Sequence, residues 1–319
     1  MAESDKNEIY LSSSPHFTSG TTTETLMFTV LVALLPECVY GVMLYGIRAL
    51  LVLLVSVASA VVAEAVFQKL SRQTVTVCNL SAAVTGVLLA LVLPPTAPFW
   101  QIVLGAVFGI VIAKGLFGGI GANVYNPALA GRAFLFVSFP AAMGSAWLKP
   151  AADAVSSATV LSSVKDGSFI ADASDYLTYF LGNRAGCIGE SSILLILISF
   201  VFLLATKIID WRAPLAMVAT VAAATALSGG DALMAVLSGG LMFGATFMVT
   251  DYATTPVTKQ GRLVFGFGCG IITFLIRKFG GYPEGVMFSI LFMNSLTAFL
   301  NNLTGRKYGY KKARKAEAK

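Results

Sequence analysis

The chain has 319 residues, of which 56% are hydrophobic and 12% charged, with a formal net charge of +6 and a mean hydropathy of +0.80. That composition lies far outside the range of soluble globular domains and implies an integral membrane protein. The positive charge collects in the C-terminal tail, which points to topology and lipid headgroups rather than to nucleic acid.

A hydrocarbon core about 30 Å thick needs roughly 20 apolar residues to be crossed as a helix. Runs of that kind fall at 24–43, 48–68, 78–93, 99–118, 125–140, 191–208, 213–228, 232–250, 262–279 and 284–302, so the expected fold is an all-α polytopic membrane protein with about ten transmembrane helices. The third and fifth runs are short enough to be broken or re-entrant helices. A polar, charged leader over 1–23 precedes the first run, which therefore does not read as a signal peptide. The tail from 303 to 319 sets Arg306, Lys307, Lys311, Lys312, Arg314, Lys315 and Lys319 against Glu317 alone, and the positive-inside rule places it in the cytoplasm. An even number of spans puts the N-terminus there too, and the long connection from 141 to 190 outside. Lys69, Arg72, Lys207, Arg212, Lys259 and Arg262 lie in connections that agree with this orientation, whereas Arg277 and Lys278, near an outer end, run against it.

At an offset of about 157 residues, L-S-A-A-V-T-G from Leu80 resembles L-S-G-G-L-M-F from Leu237, and G-L-F-G-G-I-G from Gly115 resembles R-K-F-G-G-Y-P from Arg277. Spans three to five would then correspond to eight to ten. Two repeats of five helices, 24–140 and 191–302, must be inverted relative to one another, because five is odd.

Ionisable residues inside spans are costly and generally face the protein interior. Glu64, Lys114 and Arg132 are of this kind, either as structural ion pairs, as side chains reaching for headgroups, or as functional groups. Phe243, Phe247 and Asp251 recur every four residues, so on one helix they would share a face. A carboxylate below two rings could bind a cation and gate its path; equally, it could cap a helix beneath core phenylalanines. In G-G-I-G-A-N-V-Y-N-P-A, Asn123 and Asn126 could hold the polar edge of a heteroaromatic ring or cap a broken helix. The N-P-A triplet occurs once, where water channels carry two. Cys38, Cys78, Cys187 and Cys269 form no C-x-x-C pair, which argues against a metal or iron–sulfur site within the chain; His16 stands alone in the leader.

Three segments together carry a resemblance. V-T-D-Y-A-T-T-P-V-T-K-Q-G-R-L-V-F-G, I-R-K-F-G-G-Y-P-E-G-V-M-F-S-I-L-F-M-N and N-P-A-L-A-G-R-A-F-L-F resemble the membrane flavoprotein D subunits of Rnf complexes, which are related to the B subunits of sodium-pumping NADH:quinone oxidoreductases. The resemblance implies electron transfer between ferredoxin and NAD coupled to sodium or proton movement, with partner subunits carrying iron–sulfur and flavin centres. It also implies covalent FMN. D-A-V-S-S-A-T, from Asp153, matches a family motif in which a flavin transferase joins the phosphate of FMN to the threonine hydroxyl. Thr159 is then the attachment residue, with Asp153, Ser157 and Ala158 recognised by the transferase; from the residues alone Ser156, Ser157, Ser162 and Ser163 are equally open. Asn123 and Asn126 match the family's asparagine pair for a second, non-covalent flavin, riboflavin or FMN, and Phe243, Phe247 and Asp251 match residues of a cation path. No catalytic residue acting on a soluble substrate is expected. The competing reading is a secondary transporter or channel with inverted repeats and no redox cofactor.

Overall fold

The computed structural model of the chain describes residues 22–144, 173–182, 186–281 and 284–305, and every regular element among them is helical. α1 (Thr23–Tyr45) starts where the Thr22 hydroxyl accepts from the Thr25 amide and ends at Gly46, whose φ of 70° suits a residue without a side chain. α2 (Ile47–Leu70) follows directly. These two are by themselves long and apolar enough to cross a membrane. Their polarity is inverted relative to a soluble protein: Glu37, Ser56 and Glu64 are buried while Leu35, Leu54 and Val62 face outward.

α3 (Ser81–Leu91) begins after Leu80, which sits at φ 62°. It lies so close to α2 that a Cβ on Gly86 would come within 2.7 Å of the Val57 Cα, and Ser56 Oγ donates to the Gly86 carbonyl at 2.7 Å. α4 (Phe99–Val107) runs on into a wider, π-helical turn over Phe108–Gly115. α5 (Pro127–Ser138) opens with proline at its first position, where no amide hydrogen is needed. α6 (Pro140–Gly144) and α7 (Ala173–Leu181) are short.

α8 (Ile193–Ala205) packs on α1, and α9 (Arg212–Leu227) on α12 (Lys259–Phe279). The run expected to be the eighth span is not one helix. α10 (Ala232–Leu237) stops, Ser238–Gly240 interrupt it, and a short α11 (Leu241–Phe243) passes into a second π-helical turn over Gly244–Met248. The run expected as the tenth span is likewise α13 (Val286–Ser295) and α14 (Thr297–Thr304), bent by 56°. The interior is filled mainly by Leu, Ile, Val and Ala from α1 to α5 and from α8 to α13.

Candidate functional site

One cavity of about 470 Å³ gathers most of the polar residues singled out above. Its wall is mainly apolar, with Val30, Val84, Leu88 and Phe247 among the side chains, and into it come Lys114, Asn123, Asn126 and Asp251. Residues from 120–127, the first turn of α1, α3 and the segment after Met248 all contribute to its lining.

Lys114 Nζ donates to Glu64 Oε1 at 2.7 Å and to Ser81 Oγ at 2.5 Å. Both charged side chains are at most 6% exposed, so they form a structural ion pair and do not reach for headgroups. Lys114 projects from the first π-helical turn and Phe247 lies in the second; such widened turns re-aim side chains and recur at functional positions.

Asn126 caps α5. Its Oδ1 accepts from the amides of Ala128 at 3.1 Å and Leu129 at 3.3 Å, which leaves its Nδ2 for a ligand. Asn123 Nδ2 donates to the Tyr125 carbonyl at 3.0 Å. Of the two alternatives open for this segment, the helix cap is the one Asn126 makes through its oxygen.

Asp251 lies beyond the π-helical turn, not on a shared helical face with Phe243 and Phe247. It accepts from Thr254 Oγ1 at 3.0 Å and turns the chain through the Asp251–Thr255 segment. The widened turn breaks the four-residue periodicity on which the shared face depended. Phe247 lines the cavity with Asp251; Phe243 stands behind it, 5.0 Å between ring centroids.

On the far side of Phe243 lies a second polar cluster. Arg132 meets Glu284 at 2.7 Å and Glu190 at 3.8 Å, and Glu284 Oε1 accepts from the Gly240 amide at 2.8 Å. Arg277 donates to the carbonyls of Ala235 and Ser238, the orphan acceptors at the C-terminal end of α10. Its place against the charge rule is thereby explained by a helix end that needs it. Glu190 and Glu284 are not among the residues the sequence singles out; Glu284 appears there only within the I-R-K-F-G-G-Y-P-E-G segment of the family resemblance. Asp153, Ser157, Ala158 and Thr159 lie outside the described residues. Among those residues no group of three or more His, Cys, Asp or Glu could hold a metal ion.

The profile of the NQR2, RnfD, RnfE family matches residues 10–309. The D subunit of the Na(+)-translocating ferredoxin:NAD(+) oxidoreductase complex of Acetobacterium woodii is 45% identical, covering 98% of this chain and 99% of the relative. The proton-translocating counterpart of Clostridium ljungdahlii is 40% identical over 95% of this chain and 97% of its own length. The D subunit of an ion-translocating oxidoreductase complex of Escherichia coli O7:K1 is 36% identical over 95% and 99%. The chain belongs to the NQR2, RnfD, RnfE family.

Proposed function

We propose that this chain is the D subunit of an ion-translocating ferredoxin:NAD+ oxidoreductase, a membrane flavoprotein that passes electrons while sodium ions or protons move. Near-full-length similarity to D subunits of both the sodium and the proton type supports the assignment. It works with other subunits of the complex, since the D subunit is one part of each such assembly.

The observation that carries the mechanism is that Asn123 and Asn126, proposed for a second flavin, and Phe247 and Asp251, proposed for the cation path, line the same cavity. Its volume of about 470 Å³ falls within the roughly 300–1,000 Å³ of small-molecule sites, and an apolar wall with a few convergent polar groups is the lining such sites share. These residues fit a riboflavin or FMN ring, with Asn126 Nδ2 and Asn123 at its polar edge. Flavin bound there would supply one- and two-electron chemistry. The chain's own groups set the electrostatics: Lys114 is neutralised by Glu64, so negative charge arriving in the cavity is best compensated by a cation drawn toward Asp251. Phe243 and Phe247 close the way outward with a dry constriction.

Covalent FMN on Thr159, with Asp153, Ser157 and Ala158 as the transferase's recognition elements, completes the reading. A centre on the outer side and a donor in the cytoplasm are separated by about 30 Å of bilayer, more than one cofactor spans. The proposed topology has both termini inside a prokaryotic cell membrane and the segment around Thr159 outside, in a fold of ten spans as two inverted repeats of five. Packing supports the repeat: α1 meets α8 and α5 meets α13, the pairs a pseudo-twofold axis would bring together.

The test is a denaturing gel of the chain made together with its flavin transferase. A fluorescent band under ultraviolet light, absent from Thr159→Ala, is expected, together with a second flavin released by acid and lost from Asn123→Ala. A non-fluorescent wild-type band, or one that persists in Thr159→Ala, overturns the attachment assignment.

A further inference from the structure

Glu37 lies on α1 well inside the membrane span, 3% exposed, and no step of the proposed mechanism uses it. Its side chain meets Ser199 on α8, whose Oγ stands 2.9 Å from Glu37 Oε1 and 2.7 Å from the Ala33 carbonyl oxygen. The second carboxyl oxygen, Oε2, is fully buried without a hydrogen-bond partner.

A serine hydroxyl has one proton to donate, and two acceptors lie within hydrogen-bonding distance of it. The carbonyl of Ala33 can only accept, and it makes the shorter contact. If the hydroxyl donates there, the Glu37 contact requires that the carboxyl bring its own proton and donate to Ser199.

Among the described residues no cation is at hand to keep the carboxyl ionised. α1, α3 and α8 contain no Lys, Arg or His; the other ionisable groups on them are Glu24, which is exposed, Cys38 and the phenols of Tyr40 and Tyr45. On α2, Lys69 is exposed, Arg48 donates to the carbonyls of Pro95 and Thr96, and Glu64 holds Lys114. Glu190, on the turn beside α1, faces Arg132. An isolated carboxylate in a low-dielectric interior takes up a proton rather than bear the charge.

We propose that Glu37 is a proton-binding site at the seam between α1 and α8, holding an exchangeable proton as a carboxylic acid that donates to Ser199. Its position ties it to the cavity. Val30, which lines the cavity, and Leu34, Glu37 and Gly41 form one stripe on α1, and Ser199 is one turn from Leu203, another lining residue. Seven residues of helix place Glu37 about 10 Å beyond Val30. Fully buried Leu34 plugs the interval. Proton exchange therefore requires the seam to part, and widening it at Leu34 should speed exchange. This inference does not depend on the flavin reading.

The test is infrared spectroscopy of the purified complex containing this chain, at neutral pH in light and heavy water. Expected is one protonated-carboxyl band per chain that is lost in Glu37→Gln, shifted but retained in Ser199→Ala, and moved slowly by deuterium, with faster exchange in Leu34→Ser. A wild-type spectrum superimposable on Glu37→Gln in that region means an ionised carboxylate and overturns the proposal. So does a band that deuterium does not move in either wild type or Leu34→Ser. Because Glu37→Gln preserves shape and the neutral hydrogen-bonding group, and Ser199→Ala leaves the carboxyl in place, loss of folding in one still leaves the other decisive.

Discussion

Replacing Lys114 by methionine leaves Glu64 buried without the one cation that pairs with it among the described residues, and takes a donor from Ser81. The pair is 2.7 Å apart with both side chains at most 6% exposed, and breaking such a pair from one side costs about 3–5 kcal/mol, most of it the orphaned charge. A chain of 319 residues unfolds with an entropy near 2.1 cal/mol/K per residue, so that loss corresponds to a fall of roughly 4–8 °C in thermal midpoint. Glu64→Gln alone should cost less, because lysine has other acceptors and Ser81 Oγ is one of them. The double variant removes both charges and should recover about half or more of the Lys114→Met loss. Midpoints of the four proteins, measured in one detergent by intrinsic fluorescence, close the cycle. Strict additivity of the two single effects would refute the reading of Lys114 and Glu64 as a coupled buried pair.

Three further outcomes follow from the geometry. Gly240→Ala would set a Cβ 2.5 Å from Glu190 Oε1 and 2.9 Å from Glu284 Oε1, displacing the carboxylates that hold Arg132, so it should lower the thermal midpoint by more than Gly281→Ala, whose Cβ would meet no atom within 4 Å. Arg277→Met should cost about 1–3 kcal/mol by leaving the Ala235 and Ser238 carbonyls without their donor, whereas Lys278→Met, at the same end of α12, should be close to neutral in the same thermal assay. Asp210, in the connection between α8 and α9, is raised by burial but held below the ordinary carboxylate value on balance by hydrogen bonds from Arg212 and Arg262. A depressed carboxylate stabilises the fold above its unfolded value and loses that contribution as pH falls through the folded one. The advantage of wild type over Asp210→Asn should thus be intact at pH 7 and shrink below about pH 4, which midpoints across pH measure.

Long apolar runs made α1 and α2 legible, because length and composition alone define a span. The short third and fifth runs proved to be short helices, α3 and α5. The interruption at Ser238–Gly240 and the bend at Leu296 coincide with short polar or glycine-rich stretches, S-G-G and N-S-L-T, and stayed hidden because hydropathy averages over a break of a few residues. Lys114 and Glu64 were visible as costly residues, but the spacing between them carries no information about pairing across helices. The four-residue recurrence of Phe243, Phe247 and Asp251 suggested one face only on the assumption of regular α-helix, and the π-helical turn removes it. Arg277 ran against the charge rule for a tertiary reason, the open end of α10. Glu190 and Glu284 depend on folding to meet Arg132 and had no local pattern of their own.

Electron flow through the complex containing this chain should drive ion movement, and proteoliposomes test it. The complex is reconstituted with reduced ferredoxin and NAD+ outside, and radioactive sodium and a luminal pH dye are followed together. The account predicts that NADH formation is accompanied by accumulation of sodium ions or protons in the lumen and that Asp251→Asn lowers the number of ions moved per NADH. Sustained NADH formation with neither ion moving would contradict it.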